Sequence, residues 1–539
     1  MPMKVTRYRY DDLLFLAIFF LMIYPLIVNP WLVTGDGPCH MYNAKVFFNI
    51  LFDIDSRFYL DYYKLNLTLA PNLFDHIILG FLQMIFSPSF SEKLFFFLYF
   101  FMFCFGGRYL ISKINSDNKW ISILIMMFAY HHLLMKGFFN FSFSIAFSFW
   151  VIGYFISISK GTSIKTKQVL AFSLLLSIAY FIHPIGFIFT FIGIISFFFL
   201  SILSSAMKEN SYEIAKSKFF ESKWLILAFI PVCALYFIYF SNNDFSKPMN
   251  WYGLYEMDSL MVFVEEERNL ARIIGKSVII VSAIGFIYRL LRGPLINHKS
   301  DGMLITGIIF SLFFLLNLIN EGMMGNDRLQ FLPHIAFVFW LAGFTYHKYL
   351  KIALITVSTT AILFLSSYRY PSFKDASDWV SDYMECKDFI SDHSKLLTLN
   401  YDYNGTTKEG KTISTINWPF MHANDYLGCY KPLILSDNYQ AHMIWFPLNW
   451  KGDSISFYNS TSMDGNSFED RPPRADFLNY NSKSLMGDIE YVLIIGLTVQ
   501  FIDHPYTIEV LEQLKSYDLI CTSRSGRSKL YHIKKKVSN

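Results

Sequence analysis

About eleven apolar runs, most of them close to the length of a bilayer crossing, constrain this chain more tightly than any motif in it. They occupy residues 13–33, 94–111, 120–135, 138–158, 169–182, 184–203, 224–240, 273–291, 303–319, 329–346 and 352–366. A straight transmembrane helix needs roughly 20 residues, so the shorter runs imply tilted helices or a locally thinned bilayer. Composition agrees with lipid as the solvent. Hydrophobic residues make up 53% of the chain and charged residues only 16%, against about 25% charged in soluble domains. The net charge of +4 is too small to imply a nucleic-acid partner. The first run is too long for a signal peptide and no small-residue cleavage site follows it, so it reads as a retained span.

The stretch 73–86 is different. It is about 14 residues long and carries Asp75 and His76, which suits a re-entrant or interfacial helix better than a crossing. Charge supports that reading. Let 73–86 stay on one side and the N-terminus, with Lys4, Arg7 and Arg9, be cytoplasmic. Then the basic groups at Arg108, Lys113 and Lys119, at Lys160, Lys165 and Lys167, at Lys208, Lys216, Lys218 and Lys223, at Arg289, Arg292 and Lys299, and at Lys348 and Lys351 all fall inside. The acidic loop with Glu256, Asp258, Glu265, Glu266 and Glu267 falls outside. This is the positive-inside pattern, repeated along the chain. A crossing at 73–86 would invert every later loop. The expected location is therefore a bacterial cytoplasmic (inner) membrane, multi-pass, with the loop 34–93 and the C-terminal tail outside.

After Tyr368 the long apolar runs stop and Asp, Asn, Ser, Gly and Pro become common. The chain divides into a transmembrane domain, 1–367, and a periplasmic or extracellular domain, 368–539, long enough to fold as one unit. Within the tail, 490–495, 518–522 and 529–534 read as strands and 505–517 as a helix. The fold class is thus an α-helical polytopic membrane protein of about 11 transmembrane helices with a C-terminal soluble α/β domain. Six cysteines are scattered without a CxxC pair. A disulfide between Cys386 and Cys429, or two free thiols, are equally open readings.

The most informative polar segment is Thr34-Gly35-Asp36-Gly37-Pro38-Cys39-His40, which emerges from the first span on the outer side. A carboxylate fixed at the lipid–water boundary suits a general base acting on a polar acceptor. Gly-Asp-Gly-Pro is also strong turn chemistry, with Pro38 suited to the first position of a helix, and the two readings are compatible. His40 follows Asp36 by one helical turn, a spacing at which the pair could orient a base or hold a metal. Other ionisable residues gather near the same outer ends of spans: Asp75 and His76, His183 before Pro184, Arg272, Glu321, Asp327 and Arg328. Such groups are costly at membrane level and usually face a polar cavity. A sugar donor carried on a lipid phosphate needs a cation where the phosphate leaves. Arg328 is the first candidate and Arg272 the second, because a guanidinium stays charged and presents a planar fork of donors. A divalent metal, Mg or Mn, is the alternative source of charge.

The arrangement of residues 1–370 resembles the GT-C superfamily of membrane glycosyltransferases. The shared features are a basic N-terminus and one span, then an outer loop opening on an acidic residue, here Asp36. An amphipathic helix follows, with a Pro-bearing return to the membrane at Ala70-Pro71-Asn72-Leu73-Phe74. A late outer arginine stands in Asp327-Arg328-Leu329-Gln330-Phe331-Leu332-Pro333. The resemblance implies a polyprenyl-phosphate- or diphosphate-linked sugar donor and a glycan, lipid or protein acceptor. It also implies that Asp36 is the catalytic acidic residue and Arg328 a phosphate contact. Where many members carry an acidic pair after the first span, this chain has one Asp between glycines. The tail has no Trp-Trp-Asp-Tyr-Gly segment, which argues against oligosaccharyltransferase activity. Two other functions compete: a transporter or flippase for a lipid-linked glycan, and a non-catalytic membrane assembly protein.

Overall fold

The computed structural model describes residues 7–67, 71–159, 164–209, 216, 219–220, 223–225, 227–234, 258–292, 297, 299–316, 325–443, 445–452, 471–484 and 487–534. Among them, six helices are long and apolar enough to cross a membrane. They are α1 (Arg7–Val28), α5 (Pro88–Ile114), α8 (Phe139–Ile158), α10 (Pro184–Glu209), α11 (Glu267–Arg292) and α15 (Lys348–Met384). Between α1 and α5 lie α2 (Gly37–Leu51), α3 (Ser56–Tyr62) and α4 (Phe74–Ile85). α9 (Thr166–Ile182) and α12 (Asp301–Leu315) are shorter apolar helices. Of the run 224–240, residues 224–225 and 227–234 are described and the rest are not. The protein is a multi-pass, mostly helical membrane protein with a sheet-containing C-terminal part.

Two expected spans, 120–135 and 329–346, are broken. The first becomes α6 (Ser122–Met126) and α7 (His132–Met135), the second α13 (Gly325–Gln330) and α14 (Leu332–Leu341). Irregular backbone survives at membrane depth only where protein satisfies it. Here the Tyr99 hydroxyl donates to the Ala129 carbonyl at 2.9 Å, and His131 Nδ1 accepts the Leu134 N–H at 3.2 Å. The segment from Ala129 to Met135 is almost wholly buried, so the apolar run fills the bundle rather than facing lipid.

α4 is shorter than a bilayer crossing requires. Its 12 residues give a rod of about 18 Å, too short for a hydrocarbon core of about 30 Å. Asp75, His76, Leu79 and Gly80 are buried against α2, and Ile77, Phe81, Met84 and Ile85 are exposed. The helix therefore presents one polar-bearing face to protein and one apolar face outward, as an in-plane membrane helix does.

α15 runs 37 residues without interruption, from the bundle into the C-terminal region. There β2 (Ser394–Asn400), β3 (Leu433–Leu435), β5 (Tyr491–Ile495), β6 (Tyr517–Thr522) and β7 (Ser528–Ile533) form a five-stranded sheet in the order β3-β2-β5-β7-β6. β2 is parallel to β3 and β5, while β7 is antiparallel to β5 and β6. The helices α16 (Asp425–Tyr430), α17 (Phe477–Lys483), α18 (Val499–Ile502) and α19 (Pro505–Gln513) complete this region. The outer loop joins it directly. β1 (Tyr63–Leu65) pairs antiparallel with β4 (Leu448–Trp450), and the Tyr42 hydroxyl of α2 donates to the Leu433 carbonyl at 2.8 Å. Loop 34–93 and the C-terminal region thus lie on the same side of the bundle. Arg369 of α15 makes a buried ion pair with Glu267 at 2.7 Å and donates to the Leu260 carbonyl at 2.6 Å.

The disulfide is Cys386–Cys521, not Cys386–Cys429; Cys429 is a buried free thiol. Of the two open readings, the free thiol holds for Cys429, and neither holds for Cys386. Cys386 ends the α15 extension, and β6 returns past it with a Cα–Cα separation of 5.9 Å. The bridge closes a loop of 135 residues, so its removal is expected to cost about 2–5 kcal/mol. The substitution C521S should lower the thermal midpoint of the detergent-purified protein. Dithiothreitol should do the same to the wild type and nothing further to C521S; equal midpoints for all three would show that the bridge does not form.

Candidate active site

The chain leaving α1 is pinned before it reaches Asp36. The Trp31 N–H donates to Ser377 Oγ of α15 at 3.2 Å, and the Leu32 N–H to Glu92 Oε2 of α5 at 3.2 Å. Gly35 and Asp36 then pair with the turn after α7, donating to the carbonyls of Met135 and Lys136, both at 2.9 Å. This close passage explains the glycines around Asp36. A Cβ on Gly37 would collide with Thr34 Oγ1 and lie 2.7 Å from the Phe139 ring. Gly137, at φ +93°, faces the Asp36 N–H, 2.7 Å from where its own Cβ would be. Asp36 precedes α2 as its N-cap, yet its side chain makes no capping bond. Pro38, whose ring pre-sets a helical φ, starts the helix instead. The carboxylate is left available, with 21% of its surface exposed.

One turn along α2, His40 meets the buried carboxylate of Asp75. Asp75 Oδ2 lies 2.8 Å from His40 Nδ1, and Asp75 Oδ1 lies 2.7 Å from His76 Nδ1. Asn140, in the first turn of α8, donates to Asp75 Oδ1 at 2.7 Å and accepts the Asp75 N–H at 2.9 Å. Burial would raise the Asp75 pKa, but the neighbouring His76 and His40 imidazoles outweigh it and hold the carboxyl well below its usual range. Burial likewise opposes charge on His40, and Asp75 overcomes it, so the imidazole is raised above its ordinary value. The donor atoms of His40, Asp75 and His76 all lie within 4.8 Å of one another.

The C-terminal region closes the other side. His422 Nε2 is 3.7 Å from Asp36 Oδ1, and the Tyr439 ring stacks on His422 at 4.5 Å with its hydroxyl toward Asp36. Burial lowers the His422 pKa and Asp36 only partly restores it, so this imidazole is neutral at pH 7.

Arg328 and His183 lie beyond the same turn. The Arg328 guanidinium sits 4.9 Å over the Phe138 ring and faces His183. Asp36 and Arg328 therefore both meet the Lys136–Phe138 turn, one at the Lys136 carbonyl and the other at the Phe138 ring. His183 Nδ1 accepts the Ile185 N–H at 3.2 Å, satisfying backbone that Pro184 cannot. Arg272 is half-buried on α11, five residues after Glu267, and no hydrogen bond described here joins it to this group. Glu321 lies outside the described residues, as does the side chain of Asp327, although its backbone is in α13. The sequence reading had missed His422, Tyr439 and Asn140. The first two come from 400–473, a stretch whose Trp, Tyr, Asn and Pro defeat periodicity; Asn140 sits inside an apolar run and has no local signal.

Gly137→Ala is expected to cost about 1–3 kcal/mol of backbone strain and to displace Asp36. The check is crosslinking between cysteines introduced at residues 36 and 422. Undiminished crosslinking in the G137A background would show that the turn does not fix Asp36.

No family model matches this sequence, and no curated protein matches it. Among solved structures, it is similar to ArnT from Cupriavidus metallidurans in the apo state, with 9% identity and a TM-score of 0.49 over 98% of both chains. It is also similar to the Archaeoglobus fulgidus oligosaccharyltransferase in complex with Zn and sulfate, with 12% identity, a TM-score of 0.44, and coverage of 89% of this chain and 67% of the other. A third is the archaeal oligosaccharyltransferase AglB from A. fulgidus in complex with an inhibitory peptide and a dolichol-phosphate, with 13% identity, a TM-score of 0.45, and coverage of 99% and 75%.

Proposed function

We propose that this protein is a membrane glycosyltransferase that moves one sugar from a polyprenyl-phosphate- or diphosphate-linked donor to a glycan, lipid or protein acceptor on the outer face of the membrane, with Asp36 as general base. The observation that carries this reading is the placement of Asp36. It is a partly exposed carboxylate not used for capping, one helical turn before His40 of the imidazole–carboxylate cluster and bonded to the turn whose Phe138 ring carries the Arg328 guanidinium. α4 turns its apolar face outward beside it, so a lipid-borne head group would arrive at the same level. Asp36 accepts the proton of the acceptor group as that group attacks the anomeric carbon and the sugar–phosphate bond breaks. Negative charge then grows on the leaving phosphate, where Arg328 supplies a fixed counter-charge without reorganisation. Asp36, His40, Asp75 and His76 lie between spans rather than within one, which favours transfer over transport.

The cluster of His40, Asp75 and His76 suits a divalent metal. The 2.8 Å contact of His40 Nδ1 with Asp75 Oδ2 lacks hydrogen-bond angles, and both atoms, with His76 Nε2, are buried without a hydrogen-bond partner. Two imidazoles and a carboxylate favour Zn or Mn over Mg. A metal held there would add positive charge near the leaving phosphate. The outer-face orientation is supported by the basic loops and by Cys386–Cys521, since disulfides persist in oxidising compartments. In a bacterium this would be the outer side of the cytoplasmic membrane.

Asp36→Asn should lower sugar transfer from polyprenyl-phosphate donors in proteoliposomes by about 10²–10⁴-fold while leaving membrane insertion and the thermal midpoint unchanged. Transfer at the wild-type rate by this variant would remove the base role. Mass spectrometry of the purified protein should find a co-purifying polyprenyl-phosphate lipid. Elemental analysis should find a divalent metal that H76A loses.

A further inference from the structure

Behind Asp36 lies a second pair of carboxylates, Asp425 and Asp437, which the mechanism above does not use. Both are almost fully buried. They share one donor: Asn424 Nδ2 lies 3.0 Å from Asp425 Oδ1 and 3.0 Å from Asp437 Oδ2. The two remaining oxygens, Asp425 Oδ2 and Asp437 Oδ1, are buried with no hydrogen-bond partner. The groups facing Asp425 are Asp36 and Cys39 from α2, Tyr63 from β1, Tyr383 from α15, Cys429 from α16 and Asp437 itself. None is a cation. Lys45, further along α2, is bonded instead to the Cys429 carbonyl at 2.7 Å. His422, three residues before Asp425, is neutral. Two buried carboxylates bridged by one amide, with the Cys39 thiol as the other neighbouring donor and no counter-charge among the described residues, cannot both be ionised at modest cost.

Their positions give the pair a use. Asp425 and His422 stand on one loop of the soluble region, and Asp437 and Tyr439 on the other. The first of each couple is in the pair and the second touches Asp36. The loops are also tied to α2 by Asn438, which exchanges hydrogen bonds with Asn43 at 3.1 and 2.8 Å. We propose that Asp425 and Asp437 hold a single proton between them at neutral pH and that this proton joins the two loops that position Asp36. This rests on the reading of Asp36 as the base only for its catalytic consequence. The proton itself is tested independently. Asp425 and Asp437 are positioning residues; they reach the reaction through His422 and Tyr439.

Burial pushes Asp437 up to about 6 and Asp425 well above its ordinary range. The sign follows. An acid whose pKa is raised on folding contributes stability at low pH, and that contribution is lost as pH rises from the unfolded pKa, about 3.9, through the folded one. Asp425→Asn removes the more strongly raised member. Its thermal midpoint in detergent should therefore gain on the wild type as pH rises from about 5 to about 8, by about 2–4 °C. A simple lost hydrogen bond would lower the midpoint by the same amount at every pH. The infrared carbonyl band of a buried carboxylic acid should be present in the wild type at pH 7 and lost in D425N/D437N. In transfer assays the alkaline limb of the pH profile should move in D425N. A pH-independent difference in midpoint, absence of the carboxylic-acid band, or a wild-type midpoint that rises with added Mg²⁺ or Ca²⁺ and falls with chelator would each overturn the shared proton. Loss of transfer in D36N with these results intact leaves it standing, whereas normal transfer in D36N removes only the catalytic consequence.

Discussion

A carboxylate cut off from water, Asp75, binds together the three elements that make the outer end of the bundle. Its oxygens meet His40 of α2 and His76 of α4, and Asn140 of α8 supplies both a donor and an acceptor. An isolated buried charge costs several kcal/mol, so this arrangement is stable only while all the partners are present. The geometry of each helix is thereby made conditional on the others. Asp36 inherits its position from this constraint, because it begins the helix that carries His40 and is bonded to the turn that leads into α8.

The soluble region is half of the site rather than an appendage. It contributes β4 to a strand pair with the outer loop, a disulfide to the end of α15, and His422 and Tyr439 to Asp36. The interface is polar and buried, built from Asn43, Asn438, Gln440 and Tyr42. Buried polar networks of this kind specify one arrangement, since any slip leaves donors unsatisfied. The uninterrupted α15 carries that specification from the bundle to the sheet.

Much of the framework was legible because its causes are local. Spans α1, α5, α8, α10, α11 and α15 coincide with apolar runs, and the strands at 491–495, 517–522 and 528–533 fall where alternation and turns placed them. That α4 is a short helix rather than a full span was legible from its length and from Asp75 and His76 alone. The spans 120–135 and 329–346 were misread because hydropathy cannot distinguish a helix facing lipid from broken apolar backbone packed inside protein. The Cys386 pairing was misread because loop closure permits partners at any separation, and only the return path of β6 selects Cys521.

The sequence by itself determined that this chain lives in a membrane and which of its segments are apolar enough to enter it, and it marked Asp36, His40, Asp75, His76, His183, Arg272, Glu321, Asp327 and Arg328 as the ionisable groups to place, since cost and solvation follow from residue type and neighbours along the chain. It could not determine which of these groups meet. That was decided by tertiary structure, because His40 reaches Asp75 across 35 positions and Asp36 reaches His422 across 386 (75 − 40 and 422 − 36). Contacts at such separations depend on how whole helices pack, and the residues that make them carry no local pattern that anticipates it.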